Sequence, residues 1–177
     1  MEYTIEITTY CPNHCDYCST NAGDARDVDH HLRIESIKEF LEDVTPQDRI
    51  NISGGEPLAH PQFWTILQHC KSITSDVWVY TNAIEKMRYN TSILKEVTVE
   101  ANVCLAPGEK IYIPEKASKV HLLQLVPTGR AKDMKPANIH VSGNIRNGCQ
   151  GCNHLVLQAD RQIVAAPCKK NYKRKGV

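Results

Sequence analysis

The sequence contains no hydrophobic run long enough to cross a bilayer, which takes about 20 consecutive apolar residues, and its mean hydropathy is −0.40. Residues 1–10 include neither a basic segment nor a continuous apolar one, so a secretory signal is not expected. Internal repeats and low-complexity segments are absent as well. These absences predict a cytoplasmic globular protein with no membrane partner. Its 177 residues suffice for one domain that buries its own core.

Cysteine, by contrast, is abundant, with eight residues in the chain. Six of the eight form two compact groups, whereas Cys70 and Cys104 lie outside both. In a reducing compartment, clustered cysteines indicate metal binding or catalysis rather than disulfide bridges. The two groups are Cys11, Cys15 and Cys18, and Cys149, Cys152 and Cys168.

The net charge of +1 hides an asymmetry along the chain. Residues 1–100 have an excess of acidic side chains, and residues 101–177 have an excess of basic ones. The asymmetry favours an anionic substrate or partner on the C-terminal side. Attraction between the two halves, or two solvated faces, explains it equally well.

The first 95 residues alternate between strand and helix patterns, which predicts right-handed βαβ units and a parallel sheet. Apolar residues recur at helical spacing between residues 33 and 44, and Pro61 marks the start of a second helix. The predicted helices are Arg33–Val44, 61–70 and a weak one at Ile84–Tyr89. The predicted strands are Tyr3–Thr9, Arg49–Ser53, Asp76–Tyr80, Val97–Val103 and Val120–Val126.

The alternation stops after residue 103. Residues 110–113 suit a short strand, and His154–Ala159 and Gln162–Ala166 suit a hairpin that turns at Asp160-Arg161. A full eight-unit barrel takes roughly 200 residues or more. We therefore expect an α/β fold with a partial, truncated (β/α) barrel over residues 1–126. A C-terminal segment, residues 127–177, would add the cysteine-flanked hairpin and a basic tail.

The first cysteine group lies in the loop that follows the first predicted strand. Three thiolates on one loop bind three irons of a [4Fe–4S] cluster and leave the fourth iron open. A zinc ion completed by a histidine such as His14 is the alternative, because zinc also takes four cysteine and histidine ligands.

Two motifs distinguish the iron–sulfur cluster from the zinc site. Tyr17 precedes Cys18 within a C-x3-C-x-Y-C pattern, and residues 53–57 read SGGEP directly after the second predicted strand. On these motifs the sequence resembles the radical SAM superfamily. The resemblance implies an oxygen-sensitive enzyme that reductively cleaves S-adenosylmethionine (SAM) on an open iron. The resulting 5′-deoxyadenosyl radical would abstract hydrogen from a substrate, with electrons from a low-potential donor such as ferredoxin or flavodoxin.

The resemblance also implies which residues hold SAM. Tyr17 would lie near the adenine, and the SGGEP loop would receive the ammonium group through backbone carbonyls and Glu56. Glycine there lets the backbone approach the ligand closely. The residues implied are Tyr17, Ser53, Gly54, Gly55, Glu56 and Pro57. Candidates for sulfonium or ribose contacts are Thr81, Asn82, Glu100 and Asn102, although solvent-facing alternation also explains the last two.

Residues 149–168 are similar to the auxiliary-cluster region of the molybdenum-cofactor GTP cyclase and of twitch and SPASM enzymes. Residues 125–131, LVPTGRA, are similar to a segment that precedes that region. The resemblance implies a second iron–sulfur cluster on Cys149, Cys152 and Cys168, with the substrate, Cys104 or Cys70 as fourth ligand. Zinc completed by His154 is the alternative, and Cys70 is better explained as a buried apolar residue.

The leading hypothesis is therefore a radical SAM enzyme that acts on a small anionic, nucleotide-like substrate, which Arg130 would bind. An activating enzyme or modifier of a protein or peptide partner is a second hypothesis. A zinc-stabilised module that binds nucleic acid through the basic tail is a third, less favoured one.

Overall fold

The computed structural model describes residues 1–18, 21–23, 31–81, 98–105, 119–124, 129–134, 145–146 and 155–165. Within these residues the chain forms eight β-strands and two α-helices. The helices are α1 (Ile34–Phe40) and α2 (Phe63–Ile73), and short 3₁₀ turns occupy Pro57–Ala59 and Gly129–Ala131. The strands are β1 (Glu2–Glu6), β2 (Arg49–Ser53), β3 (Val77–Thr81), β4 (Thr98–Leu105), β5 (Lys119–Gln124), β6 (Ile145–Arg146), β7 (Leu155–Leu157) and β8 (Ile163–Ala165).

All eight described strands belong to one sheet, in the order β6-β5-β4-β3-β2-β1-β7-β8. Strands β1 to β7 pair in parallel with their neighbours, and β8 pairs antiparallel with β7. The predicted α/β class with a parallel sheet is thus confirmed. Because parallel strands end at the same edge, the carboxyl ends of β1, β2 and β3 meet there, which is where α/β proteins bind ligands.

One face of the sheet is apolar and packs against the helices. Ile5, Ile52 and Val79 stand in register across β1, β2 and β3, and all three are fully buried. Ile37 of α1 and Phe63 of α2 belong to the same core. Side chains alternate between the two faces of a strand, so these positions place the neighbouring residues on the other face.

The opposite face is polar. Thr4, Asn51 and Trp78 stand in register on it, and the Asn51 amide donates to Thr4 and to Glu2. The amide oxygen of Asn51 is buried without a hydrogen-bond partner. This face of strands β1 to β3 therefore presents mostly polar side chains toward the side of the sheet away from the helices.

The helices differ from their predicted bounds by a few residues. α1 ends at Phe40, and the chain continues in tighter turns such as that from the Val44 amide to the Leu41 carbonyl. Leu41 and Val44 are nevertheless buried, as their spacing predicted. α2 begins at Phe63 because the His60 ring accepts a hydrogen bond from the Gln62 amide and holds residues 60–62 outside the helix.

The predicted strand Tyr3–Thr9 ends early, at Glu6. Beyond it the chain stays extended but changes partners: Thr8 bridges to His31, and the Ile7 amide donates to the Ser53 carbonyl. This change of partners brings residues 7–10 to the loop that follows β2.

β7 and β8 pair antiparallel within the two predicted strands and are joined by a turn in which Arg161 adopts a left-handed conformation (φ 66°), whereas the cysteines predicted to flank this hairpin lie outside the described residues and stay a prediction. The sequence did not indicate that β7 pairs in parallel with β1, nor did it predict the two-residue strand β6. The division at residue 126 stays a prediction, although the hairpin of the second part joins the sheet of the first. The helix predicted at 84–89 and the strand predicted at 110–113 lie outside the described residues. Among the described helices, none is long and apolar enough to span a membrane.

Candidate functional site

The cluster loop, residues 11–23, starts after the extension of β1 and closes on itself. The Cys11 amide donates to the Gly23 carbonyl, and the Gly23 amide donates to the Thr9 carbonyl. Between these ends, the Cys18 amide donates to the Cys15 carbonyl, and His14 adopts a left-handed conformation (φ 42°) that turns the chain. The three cysteines of the first group therefore lie on one closed loop.

The thiols of this loop share one electrostatic environment. Burial raises the pKa of the Cys11 thiol, and the nearby Glu56, Cys15 and Cys18 raise it further, against a backbone hydrogen bond at Asn13 that lowers it. Cys11 is buried, while Cys15 and Cys18 are half-buried. A metal ligand has to be deprotonated, and bound cations offset the cost of gathering such charge. The donor set therefore suits an iron–sulfur cluster.

Among the described residues, no three cysteine, histidine or acidic side chains converge closely enough to hold a single metal ion. A cubane takes each thiolate on a different iron, so its ligands stand further apart than those of one ion.

The loop after β2, residues 53–57, is joined to the chain that leads into Cys11. The Gly55 amide donates to the Thr8 carbonyl at 2.7 Å, and the Glu56 amide donates to the Tyr10 carbonyl at 2.9 Å. With the bond from Ile7 to Ser53, these contacts form a backbone ladder between residues 7–10 and residues 53–56. The SGGEP loop and the cluster loop are thus fixed side by side.

Both glycines are required by this ladder. Gly54 has a φ of +142°, and a Cβ atom there would lie 2.5 Å from the Thr8 carbonyl oxygen. A Cβ atom on Gly55 would lie 2.3 Å from the Tyr10 carbonyl oxygen. Real Cβ atoms do not approach backbone so closely, so no other residue fits without moving the loop. The prediction that these glycines make room for a ligand stays a prediction; the structure shows that they make room for the neighbouring strand.

Glu56 is fully buried, and its carboxylate accepts hydrogen bonds from groups of the protein. The Leu58 amide donates to it, which caps the 3₁₀ turn that begins at Pro57, and the Thr81 hydroxyl donates to both carboxylate oxygens. Thr81 ends β3, so this contact ties the third strand end to the SGGEP loop. The structure thus brings Thr81 beside the SGGEP loop, and its predicted contact with the sulfonium or ribose stays a prediction.

Arg130 reaches the cluster loop from the turn at Gly129–Ala131. Its backbone amide donates to the Cys18 carbonyl, and its guanidinium donates to the carbonyls of Cys15 and Ala22. The sequence suggested Arg130 as a substrate-binding residue, and that role stays a prediction. The contacts with the cluster loop were missed, because no local signal links residues so far apart along the chain.

The remaining predicted residues fall into two sets. Tyr17 is half-buried on the cluster loop, and Glu100 and Asn102 lie on β4, where Glu100 is in register with Tyr80. Nothing is described of the side chains of β4. The residues outside the described part of the chain are Asn82, Cys149, Cys152, His154 and Cys168. Cys70 is fully buried in the core, as predicted for an apolar role.

A family model described as the radical SAM superfamily matches residues 5–107, more than half of the chain. The match spans the cluster loop, the SGGEP loop and strands β2 to β4. No curated protein matches the sequence significantly.

Solved structures with the same fold include BtrN in complex with AdoMet and 2-DOIA, with a TM-score of 0.61 and 17% identity over 99% of this chain and 76% of BtrN. Streptococcus suis SuiB bound to its precursor peptide SuiA has a TM-score of 0.51 and 17% identity over 69% of this chain and 32% of SuiB. SuiB bound to S-adenosylmethionine has a TM-score of 0.47 and 20% identity over 60% of this chain.

This chain therefore spans a quarter to a third of the SuiB chain. At 17% identity, BtrN and the peptide-bound SuiB structure show the fold alone, and the similarity to the molybdenum-cofactor GTP cyclase stays a prediction. The family model and the paired loops together lead to one conclusion. The chain belongs to the radical SAM superfamily of enzymes, whose members bind a [4Fe–4S] cluster and S-adenosylmethionine.

Proposed function

We propose that this chain reductively cleaves SAM at a [4Fe–4S] cluster held by Cys11, Cys15 and Cys18, and that the resulting radical takes hydrogen from a small anionic substrate. The observation that carries the proposal is the backbone ladder between residues 7–10 and 53–56. It holds three thiols and a glycine-containing loop side by side at the carboxyl edge of a parallel sheet. Ligand sites of α/β proteins form at this edge.

The chemistry conserves atoms and electrons. A cluster held by Cys11, Cys15 and Cys18 and reduced by a donor such as ferredoxin or flavodoxin would supply the one electron needed to break the carbon–sulfur bond of the sulfonium. Methionine would be one product, and the 5′-deoxyadenosyl group would leave as 5′-deoxyadenosine after taking a hydrogen atom from the substrate. The protein's part is to bind and position the reactants.

The contacts of the site suggest which residues bind each group of SAM. The Glu56 carboxylate already accepts from Leu58 and Thr81, so we assign the ammonium group of SAM mainly to the backbone of the SGGEP loop. Tyr17, on the cluster loop, is assigned to the adenine. Asn82, Glu100 and Asn102 follow or belong to strands β3 and β4 and remain the candidates for ribose and sulfonium contacts.

A second cluster on Cys149, Cys152 and Cys168 is part of the proposal, and the hairpin register supports it. Leu155 is paired with Ala165, and Cys152 and Cys168 each lie three residues along the chain from that pair. Because β7 runs parallel to β1, this pair lies at the amino edge of the sheet, opposite the cluster loop. We propose that the second cluster forms near this pair, since three residues span at most about 10 Å.

The polar face of the sheet lies between these two edges, and it is where we place the substrate. The basic excess of residues 101–177 favours an anionic, nucleotide-like molecule. BtrN, which shares the fold over 99% of this chain, was solved with AdoMet and 2-DOIA rather than with a peptide, which supports a small molecule over a protein partner.

Iron and sulfide analysis of anaerobically reconstituted protein tests the cluster assignments. We expect about eight irons per chain for two [4Fe–4S] clusters, and about four in either Cys15→Ala or Cys152→Ala. A wild-type protein with about four irons, unchanged in Cys152→Ala, would remove the second cluster and leave the first. Colourless protein with bound zinc would instead support the nucleic-acid-binding alternative.

A further inference from the structure

Arg130 is bonded to the cluster loop at three points. Its backbone amide lies 3.0 Å from the Cys18 carbonyl oxygen. Its Nε lies 3.0 Å from the Cys15 carbonyl oxygen, and its Nη2 lies 2.7 Å from the Ala22 carbonyl oxygen. The two partners of the guanidinium, Cys15 and Ala22, belong to the first half and to the end of the loop, so one half-buried side chain spans it.

The guanidinium of an arginine is well suited to bonding two separate parts of the cluster loop. A guanidinium presents several N–H donors in a rigid planar fork and stays charged at all physiological pH values. Hydrogen bonds in which one partner is charged are roughly twice as strong as neutral ones. A lysine keeps the charge, but its single ammonium cannot hold the same fixed fork.

We propose that Arg130 is a positioning residue for the SAM cluster, with two separable effects. Its fork holds the cluster loop in the shape that presents Cys15 and Cys18. Its positive charge, placed against the carbonyl of Cys15, stabilises the more negative, reduced state of the cluster, since groups around the ligands tune a metal site. This inference rests on the proposed function, and it assigns Arg130 to the loop rather than to the substrate.

Two substitutions separate the effects, and a third serves as the control. Arg130→Met removes both fork and charge, whereas Arg130→Lys keeps the charge. Arg49→Met is the matched control: Arg49 is also half-buried and makes an ion pair with Asp76 and a cation–π contact with Trp78, with its Cζ 4.4 Å from the ring centroid. Arg49 begins β2, at the edge of the sheet opposite the cluster loop.

Hydrogen–deuterium exchange on the cluster-free chain measures how strongly the guanidinium hydrogen bonds of Arg130 hold the cluster loop. We expect exchange in residues 11–23 to be about tenfold faster or more in both Arg130 variants, from the loss of charge-assisted bonds. Exchange in this segment should not change in Arg49→Met. Equal exchange in the wild type and in both Arg130 variants would overturn the positioning role.

Redox titration and electron paramagnetic resonance of the reconstituted protein measure the effect of the Arg130 charge on the cluster. We expect a more negative midpoint potential and altered g-values in Arg130→Met, a potential near that of the wild type in Arg130→Lys, and no change in Arg49→Met. An unchanged potential in Arg130→Met would overturn the charge effect. Should Arg130→Met fail to fold, Arg130→Lys still tests the fork by exchange.

The failure of this inference differs from that of the proposed function. If the wild type binds a cluster and cleaves SAM while both Arg130 variants behave like it, only the inference fails. If the wild type binds no cluster at the first cysteine group, the proposed function fails, and the exchange experiment still reports whether Arg130 holds the loop.

Discussion

Gly55 and Tyr10 are in such close contact that a Cβ atom on Gly55 would stand 2.3 Å from the Tyr10 carbonyl oxygen. Tyr10 immediately precedes the first cluster cysteine, and Gly55 is the centre of the SGGEP loop. This contact therefore determines how closely the SGGEP loop approaches the cluster loop. Under the proposed function, it would also set the position of SAM relative to the cluster.

Gly55→Ala should push the two loops apart. We expect a loss of about 1–3 kcal/mol in the free energy of unfolding, as for other overpacked sites, and a weaker affinity for SAM in the reconstituted protein. Urea unfolding and equilibrium binding measure the two effects. Gly23→Ala is the control within the cluster loop, because a Cβ atom there would meet only the Asn21 carbonyl oxygen at 3.7 Å. Equal behaviour of the two variants would contradict this explanation of the SGGEP loop.

Thr81→Val should weaken SAM binding by altering Glu56. The hydroxyl donates to both carboxylate oxygens, and its loss leaves a buried carboxylate short of a donor, at a cost of about 1–3 kcal/mol in stability. Thr74→Val is the matched control, because the Thr74 hydroxyl donates to the carbonyls of Pro46 and Asp48, away from the site. Both variants should lose stability in urea unfolding, but only Thr81→Val should lose affinity for SAM. A loss of affinity in both would indicate a general effect of destabilisation.

Acid should destabilise the protein through His60. Burial, together with the nearby His31, lowers the pKa of His60 to about 4, although a backbone hydrogen bond at Leu32 acts in the opposite direction. Between pH 6.5 and pH 4 the unfolded state binds a proton at this site and the folded state does not, so stability falls as the pH is lowered. The contribution is about 2–3 kcal/mol.

Urea unfolding of the cluster-free chain at pH 7 and pH 4.5 measures this contribution of His60 to the free energy of unfolding. His60→Gln should lose less stability between the two pH values than the wild type. His69→Gln is the comparison: burial and nearby Lys38 also lower the pKa of His69, which is less buried than His60. An unchanged pH dependence in His60→Gln would show that His60 titrates normally.

Alkylation should distinguish the site thiols from the core thiol. Burial raises the pKa of the Cys70 thiol to about 12, and the residue has no exposed surface, so it should not react in the folded protein. Half-buried Cys15 and Cys18 should react with iodoacetamide in the cluster-free chain and be protected after reconstitution. Peptide mass spectrometry reads each cysteine separately. Reaction of Cys70 at the same rate as Cys15 in the folded chain would contradict its place in the core.

The sequence was most informative where a local pattern has one physical solution. The strand Arg49–Ser53 was predicted residue for residue, because its buried residues are bounded by charge on one side and two glycines on the other. The spacing of Cys11, Cys15 and Cys18, with the SGGEP motif, indicated the family that the match over residues 5–107 confirmed.

Contacts between distant segments could not be predicted in the same way. The pairing of β7 with β1 and the bonds from Arg130 to Cys15 join residues more than 100 positions apart, and no periodicity encodes such pairs. The ladder between residues 7–10 and 53–56 also escaped prediction, so the two glycines were explained by the ligand rather than by the neighbouring strand. The second cysteine group, outside the described residues, stays a prediction.

Cleavage of SAM at the first cysteine group can be measured by incubating anaerobic, reconstituted, dithionite-reduced protein with SAM and quantifying 5′-deoxyadenosine and methionine. We expect both products to form in equal amounts in the wild type, neither to form in Cys15→Ala, and both still to form in Cys152→Ala. Two results would contradict SAM cleavage at the first cysteine group. One is SAM that stays intact after prolonged incubation of fully reduced wild-type protein with a first cluster in place. The other is product formation that survives Cys15→Ala but not Cys152→Ala.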